Sequence, residues 1–335
     1  MFDGKKILIT GGTGSLGQAL TTRLLEKNVD TIRIFSRNES DQIKMESVFN
    51  NSKLRFLLGD IRDKERLVRA TEDIDIVFHA AALKHVPKIE YNPFEAIKTN
   101  VIGSQNVIDA CLTNNVKKAI CVGTDKAVSP LNTYGATKLL MEKLFVTANN
   151  YTNPIKHRTK FIAFRYGNVL GSSGSVIPIF IDQIKQKQKV TITDPEMTRF
   201  SITMDEALDF ILNATTYGKG SEIFVPKMRS YNIMDVVNSL QNLIGNYGQE
   251  VVGIRPGEKL HEVLINEDEI RHTWEYNGMY VVTNPHYTKF HGKEMQENYN
   301  GITKLVDLDN YSSAYSEKIS NKEFEIMIKN SGLIN

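Results

Sequence analysis

The sequence has little of what marks a secreted, membrane-spanning or nucleic-acid-binding protein. Only two of its 335 residues are cysteines, and because Cys111 and Cys121 lie in apolar surroundings without metal-ligand spacing, we expect buried free thiols. Apolar runs stay well below the ~20 residues of a membrane helix, and no hydrophobic export segment precedes the first predicted strand. With 41 basic and 39 acidic residues the net charge is +2, which favours neither a nucleic-acid nor a membrane partner. These features predict a cytoplasmic protein.

Short β-branched runs alternate with helical patterns through the first half of the chain. The runs, bounded by Gly, Asp or polar turns, are KKILIT (5–10), TIRIFS (31–36), LRFLLG (54–59), DIVFHA (75–80) and KAICVG (118–123). Between them apolar residues recur at three- and four-residue spacing, which is typical of amphipathic helices. This order predicts an α/β fold in which residues 1–170 form a doubly wound parallel sheet of the Rossmann type, a dinucleotide-binding domain.

The pattern changes from about residue 170 onward, where longer polar loops and mixed elements take over. We expect residues 171–335 to form mainly a smaller mixed α/β substrate-binding region, with late segments free to return to the first domain.

A glycine-rich turn follows the first predicted strand and leads directly into a helix. Glycines permit a tight turn and let backbone N–H groups approach a pyrophosphate at the helix N-terminus, where the helix dipole favours an anion. In this position the turn predicts dinucleotide binding rather than a merely structural bend. The expected cofactor contacts are Gly11, Thr13, Gly14, Ser15, Leu16 and Gly17.

Further cofactor contacts are expected where the next three strands end. A carboxylate after the second strand would bind the ribose 2′-hydroxyl of NAD, whereas Ser36 followed by Arg37 suits the 2′-phosphate of NADP. The alternative is a solvated surface arginine. Asp60 and Ile61 follow the third strand, where a carboxylate can reach an adenine amino group. Ala80 ends the fourth strand with a small side chain that lets the cofactor approach.

A tyrosine and a lysine four residues apart, Tyr134 and Lys138, share one face of a predicted helix. An ammonium beside a phenol would lower a pKa of ~10, so the phenolate could accept the proton of an alcohol as its hydride leaves to a nicotinamide. Upstream, Thr124 ends the fifth strand, and Asp125 and Lys126 place an acid beside a base. The alternative for this loop is an exposed turn whose charges pair with each other.

Two histidines, His79 and His85, invite a metal interpretation with Asp125 nearby. Neither is paired at helical ligand spacing, and a histidine at a strand end is more often a hydrogen-bonded structural residue. We therefore expect no metal.

Several long motifs occur in order between residues 79 and 262. They are HAAALKHVP (79–87), NVIGSQNV (100–107), GTDKA (123–127), RYGNVLGS (165–172), TDPEMTRF (193–200), EIFVPK (222–227) and GIRPGEKLHE (253–262). Together with the glycine turn and the Tyr–Lys pair, they resemble the extended short-chain dehydrogenase/reductases that act on nucleotide sugars. The resemblance is closer still to the inverting UDP-N-acetylglucosamine 4,6-dehydratases, and it reaches about residue 285.

The resemblance implies a specific reaction. UDP-N-acetylglucosamine would become UDP-2-acetamido-2,6-dideoxy-β-L-arabino-hex-4-ulose, with inversion at carbon 5 and internal hydride transfer through NADP, for surface glycan or flagellin sugar synthesis. Lys126 would be the base at carbon 5 and Asp125 the acid at the carbon-6 hydroxyl, while Tyr134, Lys138 and Thr124 complete the catalytic set. A homo-oligomer is also expected.

Substrate contacts follow from the side chains in the resembling motifs. Guanidinium groups bind a diphosphate bidentately, an amide offers a donor and an acceptor, and a carboxylate can accept from a hydroxyl. We therefore expect substrate contacts from Asn168, Arg199, Arg255 and Glu258. By resemblance, Lys84 contacts both the substrate and the cofactor, and Val169 contacts the cofactor.

The base role requires Lys126 to lose its proton near neutral pH. Its pKa would have to fall roughly three units from ~10.4, and partial burial together with the charges of Lys138 and the nicotinamide would act in that direction. Asp125 needs a pKa above its ~3.9 reference, which burial favours and an adjacent ammonium opposes. We expect a lowered pKa for Lys126 and a raised pKa for Asp125.

Two positions depart from the resembling family. Asp41 stands where the family usually has a lysine, so one phosphate-binding charge is missing unless Lys44 compensates, and Gly123 stands where a serine is usual. Two other functions stay open, a 4-epimerase and an NADP-binding regulator without activity. The epimerase needs no acid–base pair for carbon 5, so the pair at residues 125–126 speaks against it.

Overall fold

The structure is a computed structural model that describes residues 1–153, 155–171, 176–306 and 308–334. Its strands are β1 (Lys6–Thr10), β2 (Thr31–Ser36), β3 (Leu54–Leu58), β4 (Ile76–His79), β5 (Lys118–Val122), β6 (Lys160–Phe164), β7 (Asn168–Val169), β8 (Val190–Ile192), β9 (Thr198–Ile202), β10 (Glu222–Pro226), β11 (Arg229–Asn232), β12 (Gln249–Val251), β13 (Val263–Ile265), β14 (Thr273–Tyr276), β15 (Met279–Thr283), β16 (Thr303–Lys304) and β17 (Tyr311–Ser312). Its α-helices are α1 (Ser15–Leu25), α2 (Glu39–Phe49), α3 (Lys64–Ala70), α4 (Val86–Tyr91), α5 (Pro93–Ala96), α6 (Gly103–Thr113), α7 (Thr133–Tyr151), α8 (Val176–Lys185), α9 (Met204–Tyr217), α10 (Ile233–Ile244), α11 (Glu267–Ile270), α12 (Tyr287–His291) and α13 (Asn321–Asn330). A π-helix spans Ile97–Ile102, and 3₁₀-helices span Asp125–Ala127 and Met295–Asn298.

A ten-stranded sheet forms the centre, in the order β16-β14-β15-β10-β6-β5-β4-β1-β2-β3. Its strands are parallel from β3 to β10 and antiparallel from β10 to β16. Strands buried on both faces need apolar residues at nearly every position, which explains the continuous β-branched runs. The order β3-β2-β1-β4-β5-β6 is that of a doubly wound dinucleotide fold, so the predicted fold class is confirmed.

The second half of the chain contributes to this sheet and also builds a separate core. Strands β10, β14, β15 and β16 extend the central sheet, whereas α8, α10 and α13 pack on one another around buried side chains such as Phe180, Leu240 and Phe324. The expected boundary near residue 170 lies directly after β7. The division into a nucleotide domain and a substrate domain stays a prediction.

Three residues that the sequence singled out, the two cysteines and His79, are buried in the first half of the fold. Cys111 and Cys121 are both buried with unpaired thiols, and burial raises the pKa of Cys121 to about 12. His79 Nδ1 lies 2.7 Å from Thr10 Oγ1, and its Nε2 lies 2.9 Å from Ser104 Oγ. Burial lowers the pKa of His79 to about 3, so the ring stays neutral and the expected structural role is confirmed.

The described residues contain no helix that is long and apolar enough to cross a membrane. Within the same ranges, no three His, Cys, Asp or Glu side chains are grouped closely enough to hold a metal ion.

Candidate active site

The glycine turn lies at the point where the strand order reverses, between β1 and β4. Gly11 has φ +68°, and a Cβ there would lie 2.8 Å from the Ala81 backbone, so only glycine allows β1 and β4 to end this close together. A Cβ on Gly17 would lie 2.5 Å from the Gly12 carbonyl oxygen, which shows how tightly α1 packs on the turn. Within the described chain, the Gly14 end of α1 has no side-chain cap, so its first N–H groups are free to bind an anion.

The expected adenosine contacts meet at the ends of β2 and β3. Ser36 Oγ accepts from Gln42 Nε2 at 3.0 Å, and Arg37 is exposed. The Asp60 carboxylate accepts from Arg62 Nε at 2.9 Å and from Arg62 Nη2 at 2.6 Å. Although burial opposes ionisation, these bonds and the Arg37 charge hold the pKa of Asp60 below its usual value. Arg62 is a cation at this edge that the sequence interpretation missed.

Tyr134 and Lys138 occupy the first turns of α7, where the Asn132 side chain caps the helix by accepting from Gly135 N at 2.8 Å. Thr124 lies close enough to the Tyr134 hydroxyl to act on its pKa, and Lys138 Nζ donates to the Val122 carbonyl at 2.7 Å. Burial raises the pKa of Tyr134 to about 12 and lowers that of Lys138. The expectation that Lys138 lowers the Tyr134 pKa is therefore wrong, because burial dominates and the cation that opposes it is Lys126.

Asp125 and Lys126 form the 3₁₀-helix that follows β5, and they contact each other directly. Lys126 Nζ lies 3.0 Å from Asp125 Oδ1, 3.1 Å from Asp125 Oδ2 and 3.4 Å from Asn168 Oδ1. A Cβ on Gly135 would lie 2.3 Å from the Lys126 carbonyl oxygen, so this glycine lets the turn pack on α7. The alternative of an exposed turn is wrong for Asp125, which is buried to 1% exposure, although the two charges do pair with each other as that alternative expected.

Glu262, directly before β13, supplies a second carboxylate that contacts Lys126. The sequence interpretation missed this residue. Its Oε1 lies 3.3 Å from Lys126 Nζ and 3.7 Å from Arg199 Nε. Glu262 is the last residue of the GIRPGEKLHE motif, so the signal was present, but nothing in the sequence showed that this end of the motif reaches the β5 loop.

The carboxylates reverse one of the two expected pKa shifts. Burial acts against the charge of Lys126, but Asp125 and Glu262 hold its pKa well above the ordinary value. The expected lowering of the Lys126 pKa is wrong, because its closest charged neighbours are the anions Asp125 and Glu262. Burial raises the pKa of Asp125 even though Lys126 opposes it, so that expectation is confirmed.

The two arginines expected to bind the substrate differ in how many hydrogen bonds their side chains already make within the protein. Arg199 is buried, and its donors reach the Thr198 and Leu260 carbonyls at 2.7 and 3.1 Å and Glu258 Oε1 at 3.3 Å. A diphosphate would therefore have to displace partners that Arg199 already has, which the expectation did not anticipate. Arg255 is exposed, and its backbone N lies 3.5 Å from Glu258 Oε2.

Lys84 and Val169 complete the set of expected residues. Lys84 is exposed in the segment after β4, where Asn100 holds the neighbouring Leu83 by accepting from its N–H at 2.8 Å and donating to its carbonyl at 3.0 Å. Val169 lies on β7 beside Asn168 and is half-buried. Ile61 and Ala80 lie at the ends of β3 and β4, buried and half-buried respectively.

Comparison with known proteins places the chain in a family. The family described as polysaccharide biosynthesis protein matches residues 7–284. This chain belongs to that family.

Named relatives of this chain include dehydratases and epimerases of nucleotide sugars. The inverting UDP-N-acetylglucosamine 4,6-dehydratase of Campylobacter jejuni subsp. jejuni serotype O:23/36 is 50% identical over 285 residues, which cover 84% of each chain, so the resemblance is confirmed. The UDP-glucose 4-epimerase of Rickettsia bellii (strain OSU 85-389) is 39% identical over 335 residues, which cover 98% of this chain and 97% of its own. The X-ray structure of Pen from Bacillus thuringiensis has a TM-score of 0.90 at 38% identity and covers 99% of both chains.

Proposed function

We propose that this chain is a UDP-N-acetylglucosamine 4,6-dehydratase that inverts carbon 5 and recycles NADP within each turnover. The observation that carries the proposal is the 3.0 Å contact between Lys126 and the buried Asp125, in a chain 50% identical to a dehydratase of that name. The product would be UDP-2-acetamido-2,6-dideoxy-β-L-arabino-hex-4-ulose, for surface glycan or flagellin sugar synthesis.

The edge formed by β1 to β4 fits a nicotinamide dinucleotide. Gly11 lets the backbone approach a diphosphate, and the free N–H groups of α1 favour its charge. Ser36 and Arg37 would hold the adenosine 2′-phosphate. The bound cofactor would supply the acceptor for the carbon-4 hydride and return that hydride to carbon 6.

Tyr134 would accept the proton of the carbon-4 hydroxyl. Thr124 lies close enough to the phenol to act on its pKa, so both hydroxyl groups can face the same sugar atom. Burial raises the pKa of the Tyr134 phenol to about 12. The phenol can therefore lose its proton near neutral pH only when a bound ligand brings a positive charge that lowers this pKa.

The contact between Lys126 and Asp125 meets the proton requirement of the elimination. Transfer of one proton from the Lys126 ammonium to the Asp125 carboxylate leaves a neutral amine and a carboxylic acid without exchange with water. The amine then removes the carbon-5 proton, and the acid protonates the carbon-6 hydroxyl, which departs as water. Both side chains finish in the charged states from which they began. When the hydride returns to carbon 6, one proton from solvent enters carbon 5, and Tyr134 releases the proton that it took from the carbon-4 hydroxyl, so that the cycle balances.

The reaction itself is tested by incubating the pure protein with UDP-N-acetylglucosamine and NADP in deuterated water. NMR should show a carbon-4 ketone, a carbon-6 methyl group and deuterium at carbon 5. The absorbance of reduced cofactor should not grow with product, because the hydride returns within each turnover. Stoichiometric accumulation of reduced cofactor would instead identify a simple dehydrogenase.

A UDP-sugar 4-epimerase is the second candidate. The Rickettsia relatives named as UDP-glucose 4-epimerases align with 98% of this chain, a larger share than the dehydratases do. A 4-epimerase product would keep its carbon-6 hydroxyl and show no solvent deuterium at carbon 5. The acid–base pair at residues 125–126 favours the dehydratase, since epimerisation at carbon 4 has no step for it.

The cofactor preference depends on Arg37 in this proposal. Arg37→Ala should weaken NADP binding by about tenfold, the free-energy equivalent of one charge-assisted hydrogen bond. NAD binding serves as the internal control and should change little, because NAD lacks the 2′-phosphate. Titration of both cofactors measures the affinity ratio, and an unchanged ratio would contradict the assignment. Given Asp41, the wild-type preference should be modest.

We also propose a cytoplasmic homo-oligomer. Large apolar side chains are exposed along α4, α5 and the π-helix, namely Tyr91 (86%), Phe94 (60%), Ile97 (37%) and Ile102 (47%). Such a patch supports association with a second copy. Sedimentation at micromolar concentration measures it, and a monomer would contradict the proposal.

A further inference from the structure

Glu262 differs from the other fully buried glutamates of the described chain. Glu142 is buried to 0% exposure, and its two carboxylate oxygens each accept from Arg165 at 2.6 Å. Both oxygens of Glu222 accept from the backbone N–H of Gly220, and Tyr299 adds a further donor. These two carboxylates are fully paired, as expected for buried groups that hold a structure together.

Glu262 is buried to 3% exposure, but its Oε2 has no hydrogen-bond partner among the described residues. Its other oxygen lies 3.3 Å from Lys126 Nζ and 3.7 Å from Arg199 Nε. An incompletely paired buried carboxylate destabilises a fold, so a purely structural reason for Glu262 is weak. Its charge acts mainly on Lys126.

The backbone holds Glu262 firmly in this position. Its N–H donates to Ser313 Oγ at 2.9 Å, and its carbonyl accepts from Ser313 N at 2.8 Å, beside the β13–β17 pair. These bonds hold the backbone of Glu262, and its side chain reaches the β5 loop through the 3.3 Å contact with Lys126 Nζ. An anion held in this way can both direct the Lys126 amine and stabilise its charge.

We propose that Glu262 is a positioning residue for the reaction above, which holds the Lys126 amine against Asp125 and controls whether that amine carries a proton. The inference rests on the proposed function for its catalytic meaning, although the ionisation of Lys126 can be measured without substrate.

The charged and titratable groups facing Lys126 come from several elements. They are Asp125 in its own turn, Glu262 before β13, Arg199 on β9, Lys259 in the preceding loop, Tyr134 on α7 and Tyr231 on β11. Arg199 and Lys259 oppose the ammonium and also keep Glu262 ionised, although burial of Glu262 acts the other way. Removing the Glu262 charge therefore removes one attraction on the Lys126 ammonium and leaves the repulsion from Arg199 and Lys259, so the pKa of Lys126 should fall.

The test compares Glu262→Gln, which keeps the size of the side chain and removes its charge, with Glu258→Gln. Glu258 is a matched control because it pairs with the same Arg199 at 3.3 Å but makes no contact with Lys126 in the described chain. The rate of Lys126 acylation by acetic anhydride is followed against pH by peptide mass spectrometry, since only the neutral amine reacts. The side chain is reachable, with 29% of its surface exposed.

In Glu262→Gln the pH of half-maximal acylation should fall by about one unit or more. In Glu258→Gln it should move much less. Glu262→Asp, which withdraws the carboxylate by one methylene, should shift the midpoint in the same direction by a smaller amount, and it provides the measurement if Gln prevents folding. No shift in the Glu262 variants, or an equal shift in Glu258→Gln, would overturn the proposal.

Turnover separates this inference from the proposed function. If wild type dehydrates the sugar, the acid limb of the kcat profile should move to lower pH in Glu262→Gln while its maximum drops, whereas a merely structural role would lower kcat without moving the limb. If wild type does not dehydrate the sugar but the acylation midpoint moves as predicted, the proposed function fails and the control of Lys126 by Glu262 stands.

Discussion

In the Lys126→Ala protein, UDP-N-acetylglucosamine should still be oxidised and the cofactor reduced, but product should fall by about 10²–10⁴-fold, the usual contribution of a general base. The reason is that carbon 4 can lose its hydride without an amine, whereas the enolate at carbon 5 cannot form. The absorbance of reduced cofactor in a single turnover measures this block before carbon-5 deprotonation. It should rise and then persist.

Two controls separate the loss of an amine from damage to the pocket. Lys126→Met fills the space without the amine and should stall in the same way, and added ethylamine should partly restore turnover in Lys126→Ala. Lys259→Met removes another partly buried amine, one that donates to the Val128 carbonyl. It should remain able to form the enolate. If Lys126→Ala merely raised KM at full kcat, the lysine would be a binding residue.

Tyr134→Phe should abolish the oxidation itself, with no reduced cofactor in a single turnover and a loss of about 10²–10⁴-fold in rate. The phenol is the proposed acceptor of the carbon-4 proton, and phenylalanine keeps its buried ring. Tyr166→Phe is the matched control, because Tyr166 is a buried phenol whose pKa is raised by burial and by the nearby Tyr134, but it has no proposed chemical step. Normal cofactor reduction in Tyr134→Phe would remove the tyrosine from the first step.

Much of the first half of the fold could be predicted because its signals are local. The run at 118–123 became β5 at Lys118–Val122, and the run at 5–10 became β1 at Lys6–Thr10, since buried parallel strands show continuous β-branched sequence. The return of β10 and β14–β16 to the central sheet could not be predicted as firmly. Strand pairing across such long sequence separation depends on tertiary packing rather than on any local pattern.

The site shows the same division. Asp125, Lys126 and Tyr134 were found because they stand close together in sequence, and the structure places Lys126 against Asp125. Glu262 was missed because it is distant in sequence from the loop it contacts. Its absence from the sequence interpretation also explains the wrong direction expected for the Lys126 pKa, which follows from the nearest charges in three dimensions.

The most direct test of the proposed mechanism is the entry of solvent deuterium at carbon 5 of the sugar in the Lys126→Ala protein. Wild type should exchange this position during turnover, and Lys126→Ala should reach the ketone without exchange above the background measured for the 4-ketose in buffer alone. Exchange in Lys126→Ala at the wild-type rate would contradict the mechanism, because the carbon-5 base would then be another group.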